Sequence, residues 1–182
     1  MTINLSYSGE VVTSSNQKNN TNTKVEFEIV KKGSVLSIKD EYGQTLYKER
    51  IKVNGSFSQT FDLSNLPDAK YHFELNDEHE IKIMPFMVSG SVAMFITNEE
   101  SVISKPIIRV EENYIHITNN RPDNQNMNVK VYYEGSDLAF EESLKDIKMM
   151  NRTYDFSSSL RGSYTIVLET GGKTFVDYIK IP

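Results

Sequence analysis

The side chains best suited to chemistry in this 182-residue chain are three histidines, a set of acidic turns and ten tyrosines; cysteine is absent. Without cysteine there is no disulfide, no thiolate nucleophile and no sulfur-ligated metal. His72, His79 and His116 form neither HExxH nor HxH. Zinc needs three or four converging ligands. His79 beside Asp77 and Glu78 offers at most a weak cation grip, and an ordinary acidic hairpin turn is the simpler reading. The acidic loops lack the calcium-loop spacing D-x-[DN]-x-[DN]-G. No G-x-S-x-G, G-x-x-x-x-G-K-[ST] or G-x-G-x-x-G occurs, and Ser157-Ser158-Ser159 has no histidine near it in sequence. A pair of glycosidase carboxylates needs a cleft that small sandwiches seldom form. The expectation is a non-enzyme with no cofactor and no metal.

Aromatics are the better material for binding. Tyr132 and Tyr133 are adjacent in a strand-like run, so their side chains point to opposite faces. Tyr42, Tyr47 and Tyr114 are further candidates for exposure. An exposed phenol ring can stack on a sugar or anchor a protein contact. The competing role for each is packing at the rim of a core with the hydroxyl in water. The absence of Trp weakens a carbohydrate reading.

The elements that would hold these residues read as strands. Ile3, Leu5 and Tyr7 alternate with Asn4 and Ser6; Val25, Phe27 and Ile29 with Glu26 and Glu28; Tyr71, Phe73 and Leu75 with His72 and Glu74. Phe57, Phe61 and Leu63 share a parity. Each run presents one apolar and one wet face. Turn residues separate them, among them Asn54-Gly55, Pro67-Asp68, Arg121-Pro122-Asp123-Asn124 and Gly171-Gly172. Phe140, Leu144 and Ile147 have helical spacing, while the matching stretch from Leu46 to Val53 favours a strand; both alternatives stand. The stretch around 14–24 is almost wholly polar and is expected to be a mobile loop.

One pattern occurs twice, about 92–94 residues apart. Phe61-Asp62-Leu63-Ser64 and Leu66 precede Tyr71-His72-Phe73-Glu74-Leu75. Tyr154-Asp155-Phe156-Ser157 and Leu160 precede Tyr164-Thr165-Ile166-Val167-Leu168. Ile81-Lys82-Ile83 and Ile179-Lys180-Ile181 also look alike. Asp62 and Asp155 are suited to fixing a turn through Ser64 and Ser157 or nearby amides. Tyr71 and Tyr164 are suited to anchoring the strands they open. The expected architecture is all-β: two tandem antiparallel immunoglobulin-like β-sandwiches, 1–97 and 98–182.

Net charge is −5, and acids alternate with bases as in Lys48-Glu49-Arg50. That excludes the basic stripe of a nucleic-acid binder. No apolar run reaches the ~20 residues of a transmembrane helix. The start from Met1 to Leu5 shows no signal peptide, which fits a cytoplasmic protein and a processed exported one equally.

The strands and turns from Leu36 to Leu46 and from Asp62 to Tyr71, and the later Asp155-Phe156-Ser157, Leu160-Arg161-Gly162-Ser163-Tyr164 and Lys173 to Ile181, resemble β-sandwich modules of secreted Bacteroidetes proteins, in particular the C-terminal sorting domains of type IX secretion. The first copy departs by carrying Ala69 where Gly is usual. The resemblance implies a sandwich fold and an exported or cell-surface setting. The expected function is a non-catalytic module acting by protein–protein contact through a sheet edge or groove, with glycan binding through exposed tyrosines as the alternative.

Overall fold

The computed structural model describes residues 22–120, 126–145 and 149–182. The strand expected at Ile3–Tyr7, most of the polar stretch around 14–24 and the turn at 121–124 lie outside these residues. β1 already begins at Asn22. The chain divides into two compact units at the Ser101–Val102 junction.

The first unit opens with β1 (Asn22–Val30), which pairs antiparallel with β4 (Gly55–Asp62). Between them come β2 (Val35–Asp40) and β3 (Thr45–Arg50); after them come β5 (Ala69–Asn76), β6 (Glu80–Ser89) and β7 (Val92–Phe95). These five join antiparallel in the order β3-β2-β5-β6-β7. Period-two alternation explains the layering. Tyr71, Phe73 and Leu75 on β5, Leu36 and Ile38 on β2, and Met84, Phe86 and Val88 on β6 turn inward. There they meet Val25 and Phe27 of β1 and Phe61 of β4 in one core. Phe73 sits at its centre, fully buried, within 5.1 Å of the Phe61 and Phe86 rings.

A single 3-10 turn (Thr97–Glu99) and β8 (Ser101–Ser104) occupy the stretch around the division. The second unit then contains β9 (Ile107–Glu111), β10 (Tyr114–Asn120), β11 (Met127–Tyr133), β12 (Asp137–Leu144), β13 (Met149–Asp155), β14 (Gly162–Thr170) and β15 (Lys173–Ile181). One antiparallel sheet has the order β13-β10-β9, the other β12-β11-β14-β15. Ile115 and Ile117 from the first meet Val129, Val131, Ile166 and Leu168 from the second. Strands that alternate between two facing antiparallel sheets are the immunoglobulin-like sandwich plan.

Two readings resolve here. The stretch holding Phe140 and Leu144 is strand, not helix. Residues four apart share a face in either geometry, so that spacing does not discriminate; Ile147, which would, lies outside the described residues. The Ile-Lys-Ile triplets occupy different places. Ile179 faces Tyr164 near the end of β15, whereas Phe86, not Ile81, faces Tyr71 on β6.

Candidate functional site

The turn residues show how each sandwich fixes its corners. Asp62 accepts from the backbone N–H and the hydroxyl of Ser64, at 3.1 and 2.6 Å. Asp155 accepts from the backbone N–H of Ser157 at 2.8 Å. Tyr71 donates to the Pro67 carbonyl at 2.9 Å, and Tyr164 to the Leu160 carbonyl at 2.7 Å. Such a tyrosine, opening a strand and bonded back to the preceding loop, pins that loop to the sheet.

The Ser64 hydroxyl and then its N–H lower the carboxyl pKa of Asp62; the Ser157 N–H and then its hydroxyl lower that of Asp155. A depressed carboxyl contributes stability that is present above its unfolded pKa and is lost as pH falls through the folded one. Hydrogen exchange at the Ser64 and Ser157 amides, corrected for intrinsic rate, is therefore expected to speed up as pH drops below the ordinary carboxylate range. Asp62→Asn and Asp155→Asn are expected to flatten that dependence.

The five candidate tyrosines part company. Tyr133 turns inward, its ring 5.2 Å from that of Tyr164 and its hydroxyl donating to the Arg161 carbonyl at 3.2 Å. Tyr47 leans on Phe61, ring centroids 5.2 Å apart, and donates to Glu49. Tyr42 stands 88% exposed in the turn after β2, and Tyr114 is partly exposed at the start of β10. Tyr132 alone among them lies on the outer face of a broad sheet.

The register around Tyr132 builds a surface. Leu138 of β12, Tyr132 of β11, Thr165 of β14 and Tyr178 of β15 are successive cross-strand neighbours. Neighbouring strands are ~4.8 Å apart, so the two tyrosine backbones stand ~10 Å apart. Val167 and Val176 form a cross-strand pair beside this row. Tyr178 is 77% exposed, Leu138 53% and Val176 49%. The far end is polar and internally satisfied: Lys130 donates to Glu169 at 3.1 Å, and Ser143 donates to Asn128 at 2.9 Å. The hydrogen bond and charge of Glu169 hold the Lys130 ammonium above its usual pKa.

The matching face of the first unit is different. Lys39 and His72 are cross-strand neighbours there, and Lys39 donates to the buried Glu74 at 2.9 Å. That face is ionic where the second unit's is apolar and aromatic. Tyr178 escaped the sequence reading because Asp177 stands on the inward parity of β15 and breaks the alternation. An inward charge on an edge strand also discourages sheet-to-sheet aggregation.

Among the described residues, no three or more His, Asp or Glu side chains converge to hold a metal ion, and no helix is long and apolar enough to cross a membrane.

No protein-family model matches the chain, and no curated protein matches it. Among solved structures it is similar to the FN1-FN3 domains of chicken CNTN1, at 8% identity over 88% of this chain and 60% of that one, TM-score 0.31. It is similar to the BSP domain of a biofilm associated protein at 17% identity, over 87% of this chain and 27% of that one, TM-score 0.29. The ligand-binding domain of human OSCAR matches at 9% identity over 88% of this chain and 89% of that one, TM-score 0.25. The chain thus spans less than two thirds of the first two structures.

Proposed function

We propose that this protein is a non-catalytic, exported or cell-surface binding module that works by protein–protein contact through the outer face of the β12-β11-β14-β15 sheet. The observation that carries the reading is the outward-facing row Leu138, Tyr132, Thr165 and Tyr178 with Val167 and Val176 beside it, in which Leu138, Tyr178 and Val176 are exposed and Tyr132, Thr165 and Val167 half-buried. Large aromatics contribute most of the energy at protein interfaces. A sheet face that is already rigid loses little conformational freedom on docking. The exported setting rests on the sequence resemblance to secreted sandwich modules. Glycan binding is the second reading, favoured by two tyrosines projecting from one face on either side of the Thr165 hydroxyl.

A cross-linking pull-down from the native source tests the face. Partners captured by the wild type are expected to bind Tyr132→Ala/Tyr178→Ala roughly 30-fold more weakly, the effect of losing a ~2 kcal/mol anchor. Tyr42→Ala, remote in sequence and fully wet, serves as the control. Equal capture by the double variant and wild type sinks the proposal. Retention on a polysaccharide column that the double variant loses supports the glycan reading over the protein one.

A further inference from the structure

The two units close one side of their sandwiches with the same four positions. In the first unit, Tyr47 and Glu49 stand on β3, and Gln59 and Phe61 on β4. In the second, Phe140 and Glu142 stand on β12, and Arg152 and Tyr154 on β13. Each residue and its counterpart lie at one constant interval along the chain, the interval that also relates Tyr71 to Tyr164. The aromatic rings meet edge-on in both units, at 5.2 Å for Tyr47–Phe61 and 5.5 Å for Phe140–Tyr154.

The hydroxyl has changed sides. In the first unit Tyr47 donates to Glu49, and Gln59 of the other sheet donates to the Tyr47 hydroxyl at 2.9 Å. In the second, Tyr154 reaches across from the other sheet and donates to Glu142 at 2.7 Å. Arg152 lies 3.8 Å from the same carboxylate. The aromatic pair, the glutamate and a nitrogen donor persist; only the ring bearing the oxygen differs. Burial, then the bond to Glu142, raises the Tyr154 phenol pKa well above the ordinary tyrosine range, which keeps it a donor.

We propose that each sandwich is latched along this open side by a hydrogen-bonded tyrosine–glutamate pair whose cross-sheet bond runs from Gln59 to Tyr47 in the first unit and from Tyr154 to Glu142 in the second, so that either sheet can supply the hydroxyl. The latch holds the edge strands β12 and β13 together, and β3 and β4 likewise. It thereby keeps their unpaired backbone groups from recruiting a foreign strand.

The test is a hydroxyl exchange in the full chain, read by amide hydrogen exchange along β12 and β13. Tyr154→Phe keeps the ring and removes the bond. It is expected to speed exchange on these strands roughly tenfold or more, as losing a hydrogen bond to a charged group does. Phe140→Tyr/Tyr154→Phe returns the hydroxyl on β12 beside Glu142, where Arg152, at the position of Gln59, donates to it across the sheets, and is expected to recover the wild-type rate to within about twofold. The mirror pair, Tyr47→Phe and Tyr47→Phe/Phe61→Tyr, is read on β3 and β4 and keeps the test open if one unit tolerates the exchange poorly. Failure of both exchanged variants to exchange more slowly than their single parents overturns the proposal. So does a Tyr154→Phe rate equal to the wild type.

Discussion

Phe73→Ala is expected to unfold the first unit while the second keeps its structure. Phe73 is fully buried and its ring lies within 5.1 Å of Phe61 and Phe86 and 6.1 Å of Phe95. Truncating a buried phenylalanine costs about 3–5 kcal/mol, the transfer of the ring plus the cavity left behind. That is comparable with the whole stability of many domains of this size. The second core contains no residue of the first, so Ile115, Ile166 and Leu168 lose no packing partner. Thermal unfolding followed by hydrogen exchange distinguishes the outcomes. Loss of protection is expected on β2, β5 and β6, with β11 and β14 unchanged. Ile166→Ala is expected to show the converse pattern with a loss of about 2–5 kcal/mol. Simultaneous collapse of both units in either variant would contradict the reading of two separate cores.

The central strands were legible because they obey one rule without interference. Tyr71, Phe73 and Leu75 alternate with polar residues, and burial follows that parity in β5 except at Glu74. Glu74 is buried on the outer parity, where Lys39 accompanies it at 2.9 Å, and alternation alone assigns such a residue to solvent. The edge strands were harder to read. β15 carries Asp177 on its inward parity, so its period-two signal lapses where the exposed Tyr178 stands. In β12 the residues on both parities are largely exposed, and the bulge at Ala139 shifts the register between Val131 and Tyr132. The proposed binding face spans four strands and depends on register. Sequence fixes parity within a strand, but which residues become neighbours across strands follows from the pairing. That is why Tyr132 stood out in the sequence, while Leu138, Thr165 and Tyr178 join it only in the folded sheet.

A small departure in the repeated pattern leads to the second large effect. β14 opens on Gly162 where β5 opens on Ala69. Gly162 adopts φ +150°, outside the range comfortable for a side chain, and a Cβ there would lie 2.5 Å from Oε1 of Glu134 and 2.8 Å from Cε2 of Tyr133. Tyr133 occupies this place because it turns inward onto Tyr164 and donates to Arg161. In the first unit the residue facing Tyr71 across the sheet is the shorter Asp40, and Ala69 carries no positive φ. The glycine is therefore required by the Tyr133 ring together with the Glu134 carboxylate beside it. Gly162→Ala is expected to cost about 2–3 kcal/mol, combining backbone strain with displacement of a packed ring. Urea unfolding of the second unit reads the loss. Tyr133→Ala removes the ring but leaves the strained φ and the Glu134 carboxylate, so adding it to Gly162→Ala should make the glycine substitution cheaper by about 1 kcal/mol in that background than in the wild type. A strictly additive pair would mean that the backbone conformation and the Glu134 carboxylate, and not the Tyr133 ring, exclude a side chain at this strand start.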